Sequence, residues 1–282
     1  MCIRDRIKAE SKEKIAVINP ENEELIGHIS SGTKDDINKA VLAASNAFKT
    51  YQLTSKEDSI ELLKKSNGGT GKLIAGTSLA DPANVLIIGD SISIGYYPFV
   101  KETLDGLVNL SRPMLKNGGF QNCAGTTNGI EKILEWIRGM EWDLIHFNFG
   151  LHDIKHVDPR TGKNSKSFND PQQATPKQYE KNLNFIVKKL KMTKAKLVFA
   201  TTTPYPNTKL KPARKPGMHK IYNTIALKIM KKEKVYINDL HAFVTPRMME
   251  LQRPNNVHFT EFGSKELAKE VVRSILGNLK ML

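Results

Sequence analysis

The sequence predicts an α/β protein, in which a parallel sheet is covered by helices on both faces and a smaller segment is attached at the N-terminus. Three observations lead there. Short, almost wholly apolar runs such as Asn84-Val-Leu-Ile-Ile-Gly and Lys196-Leu-Val-Phe-Ala-Thr have the composition of strands buried on both sides. Between such runs lie segments with apolar residues at helical spacing. Strands and helices alternate, and that alternation implies crossover connections and parallel pairing.

The elements follow in chain order. Lys14-Ile-Ala-Val-Ile-Asn-Pro reads as a strand stopped by Pro20, with Glu24-Leu-Ile-Gly-His-Ile-Ser as its hairpin partner. Ser31 or Thr33 can cap a helix whose apolar positions are Ile37, Val41, Leu42, Ala44 and Phe48, and a second short helix is expected over Lys56–Lys65. The run from Asn67 to Thr77, rich in glycine and small residues, reads as a linker. The expected organisation is therefore an N-terminal piece over 1–66, a linker over 67–83 and a main domain over 84–282. In the main domain a helix is expected across Pro98–Val108, then Gly129–Arg138 with Ile130, Ile133, Leu134 and Ile137 on one face. Asp143-Leu-Ile-His-Phe-Asn-Phe is the next strand. Thr175–Lys191 is a helix with Pro176 in its first turn. Gly217–Lys232 is a helix, Val235-Tyr-Ile-Asn a strand, and Thr260–Leu276 a closing helix with Thr260 as its cap.

Composition narrows the classes. The chain has 282 residues, 43 basic and 29 acidic, for a net charge of +14. A hydrophobic share of 39% fits a globular protein and excludes collagen-like and wholly disordered chains. Two cysteines, Cys2 and Cys123, exclude a disulfide scaffold. No apolar run reaches the roughly 18 residues of a membrane span, and no secretory signal is visible in this chain. The charge is uneven. Residues 1–66 hold 11 basic and 11 acidic side chains, whereas residues 155–234 hold 20 basic and 4 acidic. Such a region could attract a polyanion, but its lysines are scattered at helical spacing without interleaved aromatics, so a solvated surface is the preferred reading and no nucleic-acid partner is expected.

Four motifs stand at successive strand ends. Gly89-Asp90-Ser91-Ile92-Ser93 follows the first buried strand, and a serine there is held facing the crevice. In Asn122-Cys-Ala-Gly125-Thr-Thr, the glycine lets backbone approach a ligand and offer its N–H. Asn148-Phe-Gly150-Leu-His152-Asp153 supplies an imidazole donor and a carboxylate that can fix the loop. Asn255-Asn-Val-His258-Phe-Thr pairs a histidine with a polar residue three positions earlier, as a general base and its orienter require. Each motif alone is as well explained by an ordinary turn or loop; their order is what carries weight. His146, His156, His219 and His241 have no such setting. Neither a metal-ligand cluster nor a phosphate or dinucleotide loop is present, so no metal and no cofactor are expected. Cys123 reads as a small buried residue.

Over roughly residues 83–278 the four motifs, with Trp142-Asp143-Leu-Ile-His-Phe-Asn, resemble the SGNH hydrolases, the GDSL-type esterases. The resemblance implies a flavodoxin-like three-layer α/β/α fold and ester hydrolysis through an acyl-enzyme, on short acyl esters or carbohydrate O-acetyl groups. It implies Ser91 as nucleophile, His258 as general base and Asn255 as its orienter. The oxyanion hole falls to Ser91, Gly125 and His152, with Asp90, Gly150 and Asp153 in support. The expected partner is a small-molecule or carbohydrate ester. Two departures matter. His152 stands where the family has asparagine, and an imidazole N–H can replace that donor. Asn255 stands where the family has aspartate, and a neutral amide cannot balance the imidazolium that forms; where that charge is essential its loss costs about four orders of magnitude in rate. Asp239 or Asp153 could take its place, or the protein could be an impaired relative that binds an anionic polysaccharide. Separately, Ile15 to about Ser66 resembles the N-terminal segment of aldehyde dehydrogenases through Ile18-Asn-Pro, Gly27, Gly32-Thr-Lys-Asp-Asp, Ala40–Phe48 and Glu61-Leu-Leu. Nothing downstream continues that match, so a chimeric fusion is expected and no dehydrogenase function is carried over.

Overall fold

A computed structural model of the chain describes residues 13–18, 25–39, 41–42 and 82–281. The chain divides into two compact units, Met1–Thr77 and Ser78–Leu282. In the first, β1 (Lys14–Ile18) and β2 (Leu25–Ser30) pair antiparallel. Thr33 then starts a helical run over residues 34–39 and 41–42. Its hydroxyl accepts the Asp36 N–H at 3.1 Å, and the Asp36 carboxylate accepts the Thr33 N–H at 2.8 Å, a reciprocal cap. Ile15, Leu25, Ile26, Ile29, Ile37, Val41 and Leu42 are all exposed. The expected helix over Lys56–Lys65, the stop at Pro20 and the linker up to residue 81 lie outside the described residues.

The second unit contains a five-stranded parallel sheet of β3 (Ala83–Ile88), β4 (Val108–Ser111), β5 (Leu144–Phe147), β6 (Lys196–Ala200) and β7 (Tyr236–Asn238). Their spatial order is β4-β3-β5-β6-β7. Val85, Ile87, Ile88, Leu144, Ile145, Phe147, Val198 and Phe199 have no solvent exposure, which explains why these strands read as continuous apolar runs. The helices are α1 (Ser91–Thr103), α2 (Thr126–Trp136), α3 (Pro176–Lys191), α4 (Met218–Glu233), the short α5 (Leu240–Val244) and α6 (Met248–Leu251), and α7 (Glu261–Leu279). Helix α1 packs on α7, and α3 packs on both α2 and α4, which gives the three-layer α/β/α arrangement. Thr260 caps α7 as the sequence predicts, accepting the Gly263 N–H, and Thr175 caps α3 by accepting the Gln178 N–H.

The expected helix over Gly129–Arg138 runs from Thr126 to Trp136, and the short α5 and α6 have no counterpart in the sequence reading. The largest differences concern α1 and β4. Helix α1 begins at Ser91 rather than near Pro98, because Asp90 caps it and Pro98 is tolerated within the helix. Val108 is the first residue of edge strand β4 rather than the end of that helix. The direction of travel reverses at β3, with β4 on one side and β5 on the other. The crevice at such a switch point lies outside the carboxyl ends of the two central strands.

Candidate active site

The chain leaves β3 through Gly89, where an added Cβ would lie 2.9 Å from both Cβ and Oγ of Ser93, so only glycine fits the tight strand-to-helix turn. Asp90 is buried and its carboxylate accepts the Ile92 N–H at 2.9 Å. Burial raises the Asp90 pKa, opposed by that N–H and by the Arg214 and Arg112 guanidiniums. The cap fixes Ser91 as the first residue of α1, where its own N–H has no hydrogen-bond acceptor among the described residues, as is usual for the first amides of a helix.

Ser91 Oγ lies 2.9 Å from His258 Nε2, although 167 positions of chain separate them. The loop carrying His258 is tightly closed. Gln252 and Phe259 form an antiparallel bridge, Arg253 N–H donates to the His258 carbonyl at 2.9 Å, and Arg253 Nε donates to the Phe259 carbonyl at 3.0 Å. The other ring nitrogen, Nδ1, lies 2.8 Å from Asn256 Oδ1, and the same oxygen accepts the His258 backbone N–H at 3.0 Å. This double contact assigns the protons. A backbone N–H can only donate, so the Asn256 atom facing it is the amide oxygen, and Nδ1 must then carry the ring proton. Nε2 is left with a free lone pair aimed at the Ser91 hydroxyl. Burial, with Arg253 and Arg214 nearby, lowers the His258 pKa, which keeps the ring neutral and able to accept a proton.

The orienting amide thus belongs to Asn256, two residues before the histidine, and not to Asn255 as the motif spacing suggests. Asn255 has a left-handed backbone (φ 53°), and this turn brings the next side chain under the ring. Asp239 and Asp153 do not substitute. Asp239 accepts the Thr201 hydroxyl and caps α5, and Asp153 accepts the N–H and hydroxyl of Thr126.

Gly125 immediately precedes α2, and its N–H has no protein acceptor among the described residues. A Cβ there would meet the Asp153 carboxylate at 3.0 to 3.1 Å. Asp153 is fully buried, which pushes its carboxyl up to about 7. Gly150 has φ 150°, and a Cβ on it would lie 2.1 Å from Thr202 Oγ1, so the strand end after β5 also requires glycine. His152 is half-buried, with its imidazole pushed down to about 3 by burial and then by Lys155, Arg214 and His258. It is neutral, and its Nδ1 is buried without a protein partner.

Asn148 donates to the Ala200 carbonyl at 2.7 Å and ties the end of β5 to β6. Cys123 is buried beside Gly89, its thiol pushed up to about 12 by desolvation, as suits a packing residue. His146 is buried on Asn238, and His156 contacts the Asp170 carbonyl. Besides Asn256, sequence reasoning missed Arg112 and Arg214. Arg112 lies against the rings of both Tyr97 and Phe120, which themselves meet edge to face, and donates to Ser93 Oγ, and Arg214 donates to the Leu151 carbonyl. Nothing in the local sequence marks either as buried. Among the described residues no group of three or more His, Cys, Asp or Glu side chains is placed to hold a metal, and no helix is long and apolar enough to cross a membrane.

Residues 85–271 match the family described as GDSL-like lipase/acylhydrolase, and residues 7–68 match the aldehyde dehydrogenase family. Aldehyde dehydrogenase-type proteins of Staphylococcus aureus and Staphylococcus haemolyticus are 44% and 42% identical over 59 residues. That match takes in 21% of this chain but only 12% of each relative's length. Among solved structures, the lipase/acylhydrolase from Enterococcus faecalis superposes with a TM-score of 0.54 at 19% identity, over 69% of this chain and 96% of that one. The acetyl xylan esterase AlAXEase gives 0.52 at 17% identity, over 68% and 99%. An acetyl-xylooligosaccharide esterase from Geobacillus gives 0.53 at 15%, over 71% and 94%. At these identities the likeness is one of fold.

Proposed function

The chain belongs to the GDSL-like lipase/acylhydrolase family, and from that premise we propose that it is a serine ester hydrolase working through an acyl-enzyme. The observation that carries the reading is the 2.9 Å contact between Ser91 Oγ and the unprotonated Nε2 of His258. In the proposed cycle Ser91 Oγ attacks the ester carbonyl while His258 Nε2 takes its proton. The carbonyl oxygen becomes an oxyanion held by the free N–H groups of Ser91 and Gly125, with His152 as a third donor. His258 then gives the proton to the departing alcohol oxygen as the C–O bond breaks. Water, deprotonated by the same nitrogen, attacks the acyl-serine, releases the acid and restores Ser91.

Asn256 is proposed to hold the tautomer in place of the Asn255 suggested by spacing. A neutral amide orients the ring but does not offset the imidazolium charge, so turnover below that of a carboxylate triad is expected. Asp90, Gly150 and Asp153 act as positioning residues, and the domain over 84–282 carries the activity without residues 1–66. The acyl group is proposed to be short, an acetyl on a carbohydrate, because two of the structural neighbours are named as esterases of acetylated xylan or xylooligosaccharides.

A fluorophosphonate probe tests the nucleophile. Labelling mapped to the peptide carrying Ser91, absent from Ser91→Ala and slowed in His258→Ala, is the expected result. Equal hydrolysis of 4-nitrophenyl acetate by wild type and Ser91→Ala would overturn the mechanism.

A further inference from the structure

Beside His258 opens a cavity of about 260 Å3 whose lining includes Lys209, Lys211, Arg214, Asn255, Asn256 and His258 and no aspartate or glutamate. Arg214 is only 5% exposed, and its Nε is fixed on the Leu151 carbonyl at 3.0 Å. Lys209 and Lys211 are exposed at the rim. Lys155, half-buried, is close enough to Arg214 for the guanidinium to depress its ammonium beyond what burial alone does. None of these four cations forms an ion pair among the described residues. Several cations elsewhere in the domain are paired, among them Lys191 with Glu233, Arg247 with Glu250 and Glu266, and Arg273 with Glu270. Other surface lysines, such as Lys188 and Lys189, have no ion pair among the described residues, so the cavity stands out by its buried arginine and not by unpaired charge alone. The Leu151 and Pro212 carbonyls and the charge of Asp90 offset part of the Arg214 charge, but the cavity lining itself carries three cations and no carboxylate, so an anion entering it meets a one-signed field.

We infer that this cavity receives an anionic oxygen group, a carboxylate or a phosphate, on the alcohol half of the ester. The inference rests on the Ser91–His258 reading and adds to it the charge of the substrate. The side is set by proton transfer. His258 must deliver its proton to the alcohol oxygen, so the alcohol lies toward His258 and its loop, whereas the carbonyl oxygen faces the N–H groups of Ser91 and Gly125. The cavity shares His258, Asn255 and Asn256, and so adjoins the alcohol.

The test compares 4-acetoxybenzoate, 4-acetoxyphenyl phosphate and neutral methyl 4-acetoxybenzoate. Wild type is expected to favour at least one anionic ester in kcat/KM by about tenfold, the scale of two partly solvated charge contacts. The two anionic arms tell carboxylate from phosphate. In Lys209→Ala/Lys211→Ala the anionic-to-neutral ratio is expected to fall about fivefold or more. Lys188→Ala/Lys189→Ala, on α3, leaves the ratio unchanged. A second readout does not need turnover: the product 4-hydroxybenzoate should bind Ser91→Ala more tightly than its methyl ester does, and the double lysine variant should lose that difference. Ser91-dependent turnover with no charge preference overturns the anion pocket and leaves the hydrolase standing. Charge-selective binding without Ser91-dependent turnover of any ester upholds the pocket and overturns the hydrolase.

Discussion

Replacing Asn256 by aspartate puts a carboxylate where an amide oxygen now sits, 2.8 Å from His258 Nδ1. When Nε2 takes the serine proton the ring becomes a cation, and the new charge lies about 4 Å from its centre. Two opposite charges at that distance attract by about 4 kcal/mol at an effective dielectric near 20. Both residues are half-buried, so solvent reduces this, and desolvating the carboxylate takes another share. A net gain of about 1.4 kcal/mol remains, about tenfold in kcat/KM. The pH profile carries the same information. Burial, Arg253 and Arg214 hold the His258 pKa below its ordinary value, so the acid limb of wild type should lie below the usual imidazole range. A carboxylate on Nδ1 favours the charged ring, so the acid limb of Asn256→Asp should move to higher pH. The assay is kcat/KM on 4-nitrophenyl acetate from about pH 4.5 to about pH 9, with Asn255→Asp as the comparison. If Asn255→Asp accelerates the reaction and shifts the limb while Asn256→Asp does neither, the assignment of the orienting amide is wrong.

Two further outcomes are expected. Gly125→Ala places a methyl 3.0 Å from the Asp153 carboxylate and displaces a proposed oxyanion donor, so kcat should fall by about a hundredfold or more while the variant remains folded by circular dichroism. Asp153 has a folded-state pKa of about 7 against an ordinary 3.8, so its neutral form is favoured by folding; stability should decline as pH rises from about 4 to about 7, and chemical denaturation of Asp153→Asn should show a flatter profile across that window.

The sheet was legible because β3, β5 and β6 are buried on both faces, and burial of that kind leaves an unbroken apolar signature. Strand β4 was not, since at the sheet edge Val108-Asn-Leu-Ser exposes Asn109 and carries only four residues. Helix α1 was placed late because Pro98 is a strong helix-start signal, and the stronger determinant, a buried Asp90 cap, is visible only once burial is known. The N-terminal strand pair was readable because it is local, and of the two capping residues the sequence offers, Ser31 and Thr33, the structure uses Thr33, with Asp36 answering it. At the site, strand-end glycines announced the loops that face the crevice. Which of two adjacent asparagines reaches His258 depended on one left-handed residue, and side-chain spacing cannot encode that. Arg214 was missed because an arginine in a basic stretch looks solvated until packing encloses it, and Arg112 because nothing beside it in the chain marks it as buried.

The nucleophile and its base are anchored very differently. Ser91 begins a long helix that leaves the buried strand β3, whereas His258 sits on a short reverse loop held by hydrogen bonds among Arg253, Leu251 and Asn256 and by the buried side chains of Val257 and Phe259. Such a loop can open at far lower free energy than the sheet can melt. Warming should therefore silence this molecule before it unravels, and the chemistry should return on cooling as long as the sheet has stayed intact.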